Sequence, residues 1–149
     1  MGRASNNTID VHVVQEELIV SYQTATGVAG GSLTASTWQN IPFNTTESNS
    51  ITGASRSSSV ITLPIGDYRV SASAAPSGGT SNVVRVYSAS ELVKSFMGFY
   101  TISSMSMSFT LGVETNITID IRTTASGWIG AVSTGTNEIY SRVKITKIG

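Results

Sequence analysis

Residues 59–76, SVITLPIGDYRVSASAAP, decide the fold that the sequence predicts. Residues 60–63 are apolar or β-branched, and residues 68–74 alternate strictly, with an apolar side chain at every second position. Between these two runs, residues 64–67 (PIGD) are typical of a turn. The pattern predicts a strand, a tight turn and a strand, forming a β-hairpin within a β-sandwich.

The same alternation recurs further along the chain. In residues 105–111, Met, Phe and Leu alternate with Ser and Thr, and in residues 117–121 isoleucines alternate with polar residues. The turn residues between these two stretches indicate a second hairpin. Each strand is expected to have one face in the core and one in water.

The last strand is predicted over residues 138–148. Simple alternation places Ile139, Val143 and Ile145 towards the core and Tyr140 with Arg142 on the opposite face. Tyr and Arg are enriched at protein interfaces, although an ordinary solvent-facing pair fits almost as well.

Strands are also predicted within residues 10–22 and 82–87, and a glycine-rich loop over residues 27–37. Residues 91–100 partly fit a helical spacing, but Gly98 and the neighbouring strands favour an irregular strand and loop. Short strands at regular spacing are typical of a sandwich or a barrel. The predicted fold is an all-β jelly-roll sandwich of about ten short antiparallel strands.

The length of 149 residues fits one domain, predicted over residues 10–149, after a flexible N-terminal arm of residues 1–9. Nine basic and nine acidic residues cancel, and charged residues are only 12% of the chain. A neutral, hydroxyl-rich surface lacks the basic patch that nucleic acid or an anionic membrane would attract. Neither partner is therefore expected.

Residues able to carry chemistry are few. The chain has no cysteine, and its one histidine, His12, lies in a predicted strand without metal-ligand partners. Glu16 and Glu17 are adjacent on a strand and point in opposite directions, so they do not form a glycosidase pair. Asp67 fits a turn role. We therefore predict no enzymatic activity, no metal site and no cofactor.

The two tryptophans, Trp38 and Trp128, have two interpretations. An aromatic face can stack on a sugar ring, because it offers apolar area next to polar groups. Packing in the core is the alternative, and we favour it for both residues.

Several motifs together resemble the C1q/TNF-like jelly-roll domain, in the version found in phage virion proteins. They are WQNI at 38–41, NSITGAS at 49–55, ITLPIGDYRVSASAAP at 61–76, RVY at 85–87 and NEIYSRVKI at 137–145. The likeness runs from about Val11 to Ile148. It implies a non-enzymatic homotrimer with the first and last strands near the three-fold axis. Strand position and alternation then place Tyr22, Tyr140 and Arg142 at the subunit contact, where a charged residue at position 140 would dissociate the trimer.

Two functional hypotheses follow from the resemblance. The first is a capsid decoration or cement protein on the virion surface, made in the host cytoplasm, with other virion proteins such as the major capsid protein as partners. The second is the receptor-binding tip of a tail fibre, recognising host cell-surface glycan through a loop containing Ser77, Gly78, Gly79 and Thr80. Because only a short arm precedes the first predicted strand, where fibre proteins carry a shaft, we favour the first hypothesis.

Overall fold

The computed structural model describes residues 14–74, 81–89, 94–99, 103–129 and 135–149. All regular structure within these ranges is β-strand. The strands are β1 (Glu16–Thr24), β2 (Ser32–Leu33), β3 (Gln39–Asn40), β4 (Thr45–Asn49), β5 (Ser55–Ser57), β6 (Val60–Leu63), β7 (Gly66–Ala74), β8 (Ser81–Tyr87), β9 (Lys94–Phe99), β10 (Ser103–Leu111), β11 (Thr115–Thr123), β12 (Gly127–Trp128) and β13 (Glu138–Lys147). The predicted arm of residues 1–9 lies outside the described residues.

Two antiparallel sheets form the sandwich. The five-stranded sheet has the order β10-β7-β13-β1-β4, and the six-stranded sheet has the order β5-β6-β11-β8-β9, with β3 also paired to β11. The short strands β12 and β2 form a separate pair. The first and last strands, β1 and β13, are neighbours along their whole length.

The core lies between the two sheets and follows the predicted alternation. Ile117, Ile119 and Ile121 of β11 are fully buried, as are Val143 and Ile145 of β13. β-Branched side chains pack well on a pleated surface, which explains why these strands form the centre of each sheet. The all-β jelly roll is confirmed.

The predicted hairpin of residues 59–76 is wrong in its pairing. Both strands exist, but β6 lies in the six-stranded sheet and β7 in the five-stranded sheet, so the turn between them crosses from one sheet to the other. Pro64 has no N–H to continue a ladder, and its carbonyl oxygen accepts a hydrogen bond of 2.7 Å from the Tyr68 hydroxyl. The second predicted hairpin fails in the same way, because β10 and β11 also lie in different sheets.

A glycine is required in this corner by close approach of the chain's last strand. A Cβ atom added to Gly66 would lie 2.8 Å from the Lys147 Cε atom and 2.8 Å from the Gly149 carbonyl oxygen. The backbone of Asp67 is bonded to this same segment, because its N–H donates to Gly149 and its carbonyl accepts from Ile148. These two hydrogen bonds connect the corner between the sheets to the residues that follow β13.

Tyr68 makes the corner sensitive to alkali. It is fully buried against Phe109, and burial raises the pKa of its phenol above the ordinary value of about 10. The unfolded chain releases this proton first, so the stabilisation is fully present below about pH 10 and is lost as pH rises through the raised pKa.

We expect Tyr68→Phe to be less stable than the wild type at about pH 8, since it loses the hydrogen bond to Pro64, and the difference in stability to shrink by about pH 11. Urea unfolding at both pH values measures this, and a constant difference would contradict it.

A β-bulge reverses the predicted faces at the start of β13. Tyr22 of β1 pairs with Ser141 and Gln23 pairs with Ile139, so Tyr140 is the extra residue. The prediction that Tyr140 faces outward and Ile139 inward is therefore wrong: Tyr140 is 4% exposed and Ile139 is 53% exposed. Beyond the bulge the predicted phase holds, with Val143 inward and Arg142 outward.

Candidate functional site

The outer face of the five-stranded sheet, pointing away from the core, is built from small hydroxyl side chains on two strands. Ser71 and Ser73 of β7 are exposed, as are Ser106 and Ser108 of β10. Ser71 and Ser106 are directly paired across the two strands. Small side chains keep the middle of this half low, so another chain could approach it closely there. Arg69 of β7 is exposed on the same face, opposite Ser108, and adds one long charged side chain towards the end of the strand.

Ion pairs cover the other half of the same face. The Arg142 side chain contacts Glu47 of β4, with its Nε and Nη2 atoms each 2.9 Å from one carboxylate oxygen. This hydrogen bonding lowers the pKa of Glu47 below its ordinary value. Lys144 is 3.1 Å from Glu17 of β1. These two pairs neutralise the charges of Arg142 and Lys144 within the subunit.

The three residues predicted for the subunit contact occupy different surroundings. Arg142 lies on the outer face of the five-stranded sheet, as predicted. Tyr22 is half-buried on the core side, with its ring centroid 6.4 Å from that of Tyr140. The Tyr140 hydroxyl donates a hydrogen bond of 2.8 Å to the Val28 carbonyl. The predicted recognition loop, Ser77, Gly78, Gly79 and Thr80, lies outside the described residues.

Four exposed apolar side chains mark one end of the sandwich, which we call the base. They are Val14 (81% exposed), Ile65 (62%), Val113 (56%) and Ile148 (46%). They share an end because Gly66 pairs with Leu111 and Glu16 with Lys147, so the ends of four neighbouring strands lie side by side. Apolar side chains gathered at one end of a sandwich typically mark a contact surface. The sequence signal was weak, since each of the four is an isolated apolar residue beside a turn or a strand end.

A charged and aromatic cluster lies on the outer face of the six-stranded sheet. Asp120 of β11 is only 1% exposed; it accepts hydrogen bonds from Arg85 Nε at 2.8 Å and from Asn40 Nδ2 at 2.5 Å. The guanidinium carbon of Arg85 lies 4.1 Å from the centroid of the Trp38 ring and 4.2 Å from that of Tyr87. Asp120 is thus paired with Arg85 of the neighbouring strand β8, and the cluster around it was not predicted. Its sequence signal was the placement of Arg85 and Tyr87 on the same face of β8.

Core packing of the tryptophans is wrong for both residues. Trp38 is half-buried over Arg85 on the outside of the six-stranded sheet, and Trp128 is 48% exposed. Trp38 adjoins a two-residue strand and Trp128 ends one, and such short strands give no alternation from which a face could be predicted.

Within the described ranges, no group of three or more potential metal ligands comes together. No helix long and apolar enough to cross a membrane occurs in that part of the chain.

No family model and no curated protein matches the sequence. Solved structures do match the fold. The PRD1 vertex protein P5 superposes with a TM-score of 0.66 at 16% identity, covering 91% of this chain and 99% of that one. The fold is a C1q/TNF-like jelly roll.

Two animal proteins show the same C1q/TNF-like jelly roll. Murine APRIL has a TM-score of 0.60 at 13% identity, covering 91% of this chain and all of that one. The globular domain of zebrafish complement 1qA has a TM-score of 0.58 at 17% identity, with 91% and 98% coverage. The resemblance read from the sequence motifs is confirmed at the level of the fold.

Proposed function

We propose that the chain is a non-enzymatic structural protein of a phage virion, displayed as a homotrimer that decorates the capsid surface. The observation that carries this proposal is the likeness to the PRD1 vertex protein P5 over nearly the full length of both chains. The name of that protein places it at a vertex, which favours the capsid over the tail for this chain too.

The trimer in this proposal forms through the outer face of the five-stranded sheet. The C1q/TNF-like resemblance implies that the first and last strands lie near the three-fold axis, and β1 and β13 are adjacent in this sheet. Arg142 of β13 then lies close to the contact. Tyr22 and Tyr140 support that face from the core side and bring the ends of β1 and β13 together.

The base then docks the trimer on other virion proteins, with the major capsid protein as the partner. Its four apolar side chains offer an area that water solvates poorly, and covering them would stabilise the complex. Residues 1–13 join the described part of the chain at Val14, so an arm that orders against the lattice would leave from this end.

The docking surface is tested by charge placed at the two ends of the sandwich. We expect the double variant Val14→Asp, Ile148→Asp to fold but to be missing from purified virions, because each carboxylate would have to be dehydrated on docking. The matched control is Val28→Asp, Ile139→Asp, which alters two exposed apolar residues at the opposite end. Immunogold labelling of virions measures incorporation and location.

Other outcomes would overturn parts of this proposal. Equal incorporation of both double variants would show that the base is not the docking surface. Unchanged incorporation after deletion of Met1 to Asn7 would show that these residues are not a docking arm. Gold particles on the tail would favour the receptor-binding tip of a tail fibre instead. Cleavage of host polysaccharide by the purified protein would reject the non-enzymatic assignment.

A further inference from the structure

A groove of about 330 Å³ opens on the outer face of the six-stranded sheet, beside the cluster around Arg85. Trp38 and Tyr87 form its aromatic wall, Val60 adds an apolar side, and Asn116 with Thr118 adds polar groups. Small-molecule sites in proteins have this composition, mostly apolar area with a few convergent polar groups. The groove lies on the opposite side of the sandwich from the proposed trimer contact, so assembly would leave it open.

The charges beside the groove cancel. Arg85 is bonded to Asp120, and its guanidinium also contacts the rings of Trp38 and Tyr87, so three contacts hold the side chain in position. Only the Nε donor is used by Asp120, and among the described residues the two terminal nitrogens have no hydrogen-bond partner. These N–H groups can donate hydrogen bonds, but the Asp120 carboxylate, 2.8 Å from Arg85, neutralises most of the positive charge of the guanidinium.

Thr118 supplies a second unused polar group. Its Oγ1 atom is buried and has no hydrogen-bond partner among the described residues. A buried hydroxyl without a partner costs free energy, so it normally points to a group that completes the site. Asn116 offers a third, because its side-chain oxygen accepts from Thr62 at 2.7 Å while no described residue accepts from its amide nitrogen.

We propose that this groove binds a neutral saccharide unit. Sugar rings present an apolar face that stacks on aromatic side chains and a rim of hydroxyls that both donate and accept hydrogen bonds. The groove offers both complements: the aromatic surface of Trp38 and Tyr87, and the polar groups of Arg85, Asn116 and Thr118. An anionic ligand is disfavoured because the charge of Arg85 is already neutralised by Asp120. The proposal goes beyond capsid decoration and does not depend on the base or the trimer.

The test is a glycan microarray carrying neutral and acidic glycans, probed with full-length protein. We expect neutral glycans to be retained, and Thr118→Val to weaken binding about tenfold through loss of one hydroxyl hydrogen bond. Thr118→Val is also expected to keep or raise the urea midpoint, because it removes an unsatisfied buried hydroxyl. The matched control is Thr52→Val, which removes an exposed hydroxyl from the turn between β4 and β5, outside the groove, and should bind like the wild type.

The two tryptophans allow an independent measurement in solution. Trp128→Phe leaves Trp38 as the single tryptophan, at the wall of the groove, whereas Trp38→Phe leaves only Trp128. Titration with a glycan retained on the array should change the fluorescence of the first variant in a saturable way, and not that of the second.

Three results would overturn the saccharide groove. They are retention of no neutral glycan, retention of acidic glycans alone, and equal binding by Thr118→Val and Thr52→Val. Incorporation into virions would be unchanged in every case, so failure of this proposal is distinguishable from failure of the proposed function.

Discussion

Replacement of Tyr140 by aspartate is expected to unfold the subunit, and not merely to separate a trimer. The side chain is 4% exposed, contacts the Tyr22 ring in a tilted arrangement and donates a hydrogen bond to the Val28 carbonyl. Removing a large buried aromatic costs about 3–5 kcal/mol, and a buried unpaired carboxylate adds to that cost. The sum is comparable with the whole stability of a domain, about 5–15 kcal/mol. Circular dichroism and thermal unfolding of the purified variant measure the loss.

Two variants beside this position separate packing from charge. Tyr140→Phe keeps the contact with the Tyr22 ring and loses only the hydroxyl hydrogen bond, so we expect its free energy of unfolding to fall by about 1 kcal/mol. Ile139→Asp places the same carboxylate one residue away on a half-exposed side chain and should leave the fold intact. If Tyr140→Asp unfolds at the same temperature as Ile139→Asp, the placement of Tyr140 on the inward face by the bulge is contradicted.

Replacement of Ser71 by tryptophan is expected to convert a trimer to a monomer without unfolding it. Ser71 is exposed near the centre of the outer face of the five-stranded sheet, paired with Ser106 on one side and Lys144 on the other. An indole there would hold two packed faces apart, whereas in a free subunit it would lie in solvent. Light scattering should give about three times the formula mass for the wild type and the formula mass for the variant.

Ser57→Trp is the matched control for this experiment. Ser57 is an exposed serine on β5, at the edge of the other sheet, so the same substitution should leave the assembly unchanged. A wild-type protein with the mass of one chain would reject the trimer itself. A trimer that survives Ser71→Trp would place the subunit contact elsewhere.

Much of the fold could be predicted because alternation reports burial directly. Ile117, Ile119 and Ile121 could bury their side chains together only in a strand, and the structure has them fully buried on one face. Which strands pair with one another could not be predicted in the same way. The turn PIGD is compatible with a hairpin and with a corner between sheets, and only the partners available to β6 and β7 in three dimensions decide between them.

The candidate surfaces were less predictable, because they depend on single residues that break a pattern. One extra residue in β13 turns Tyr140 inward, and no property of the surrounding sequence marks the bulge. The cluster of Trp38, Arg85 and Asp120 joins residues from β8, β11 and the segment just before β3, which are far apart in the chain. Alternation places Arg85 and Tyr87 on the same face of β8 but does not decide which face is outward, and the burial of Asp120 arises from the neighbours that cover it.

The central position of β13 has a consequence for how the protein is made. This strand lies between β7 and β1, so the five-stranded sheet has a gap in its middle until residues 138–147 have left the ribosome. Before that moment β1 and β7 both present unpaired edges, which other chains could extend. The pairing of β1 with β13 also joins residues more than a hundred positions apart, a topology that folds slowly. The five-stranded sheet is therefore completed only when β13 is available, and until then the edges of β1 and β7 need protection from other chains.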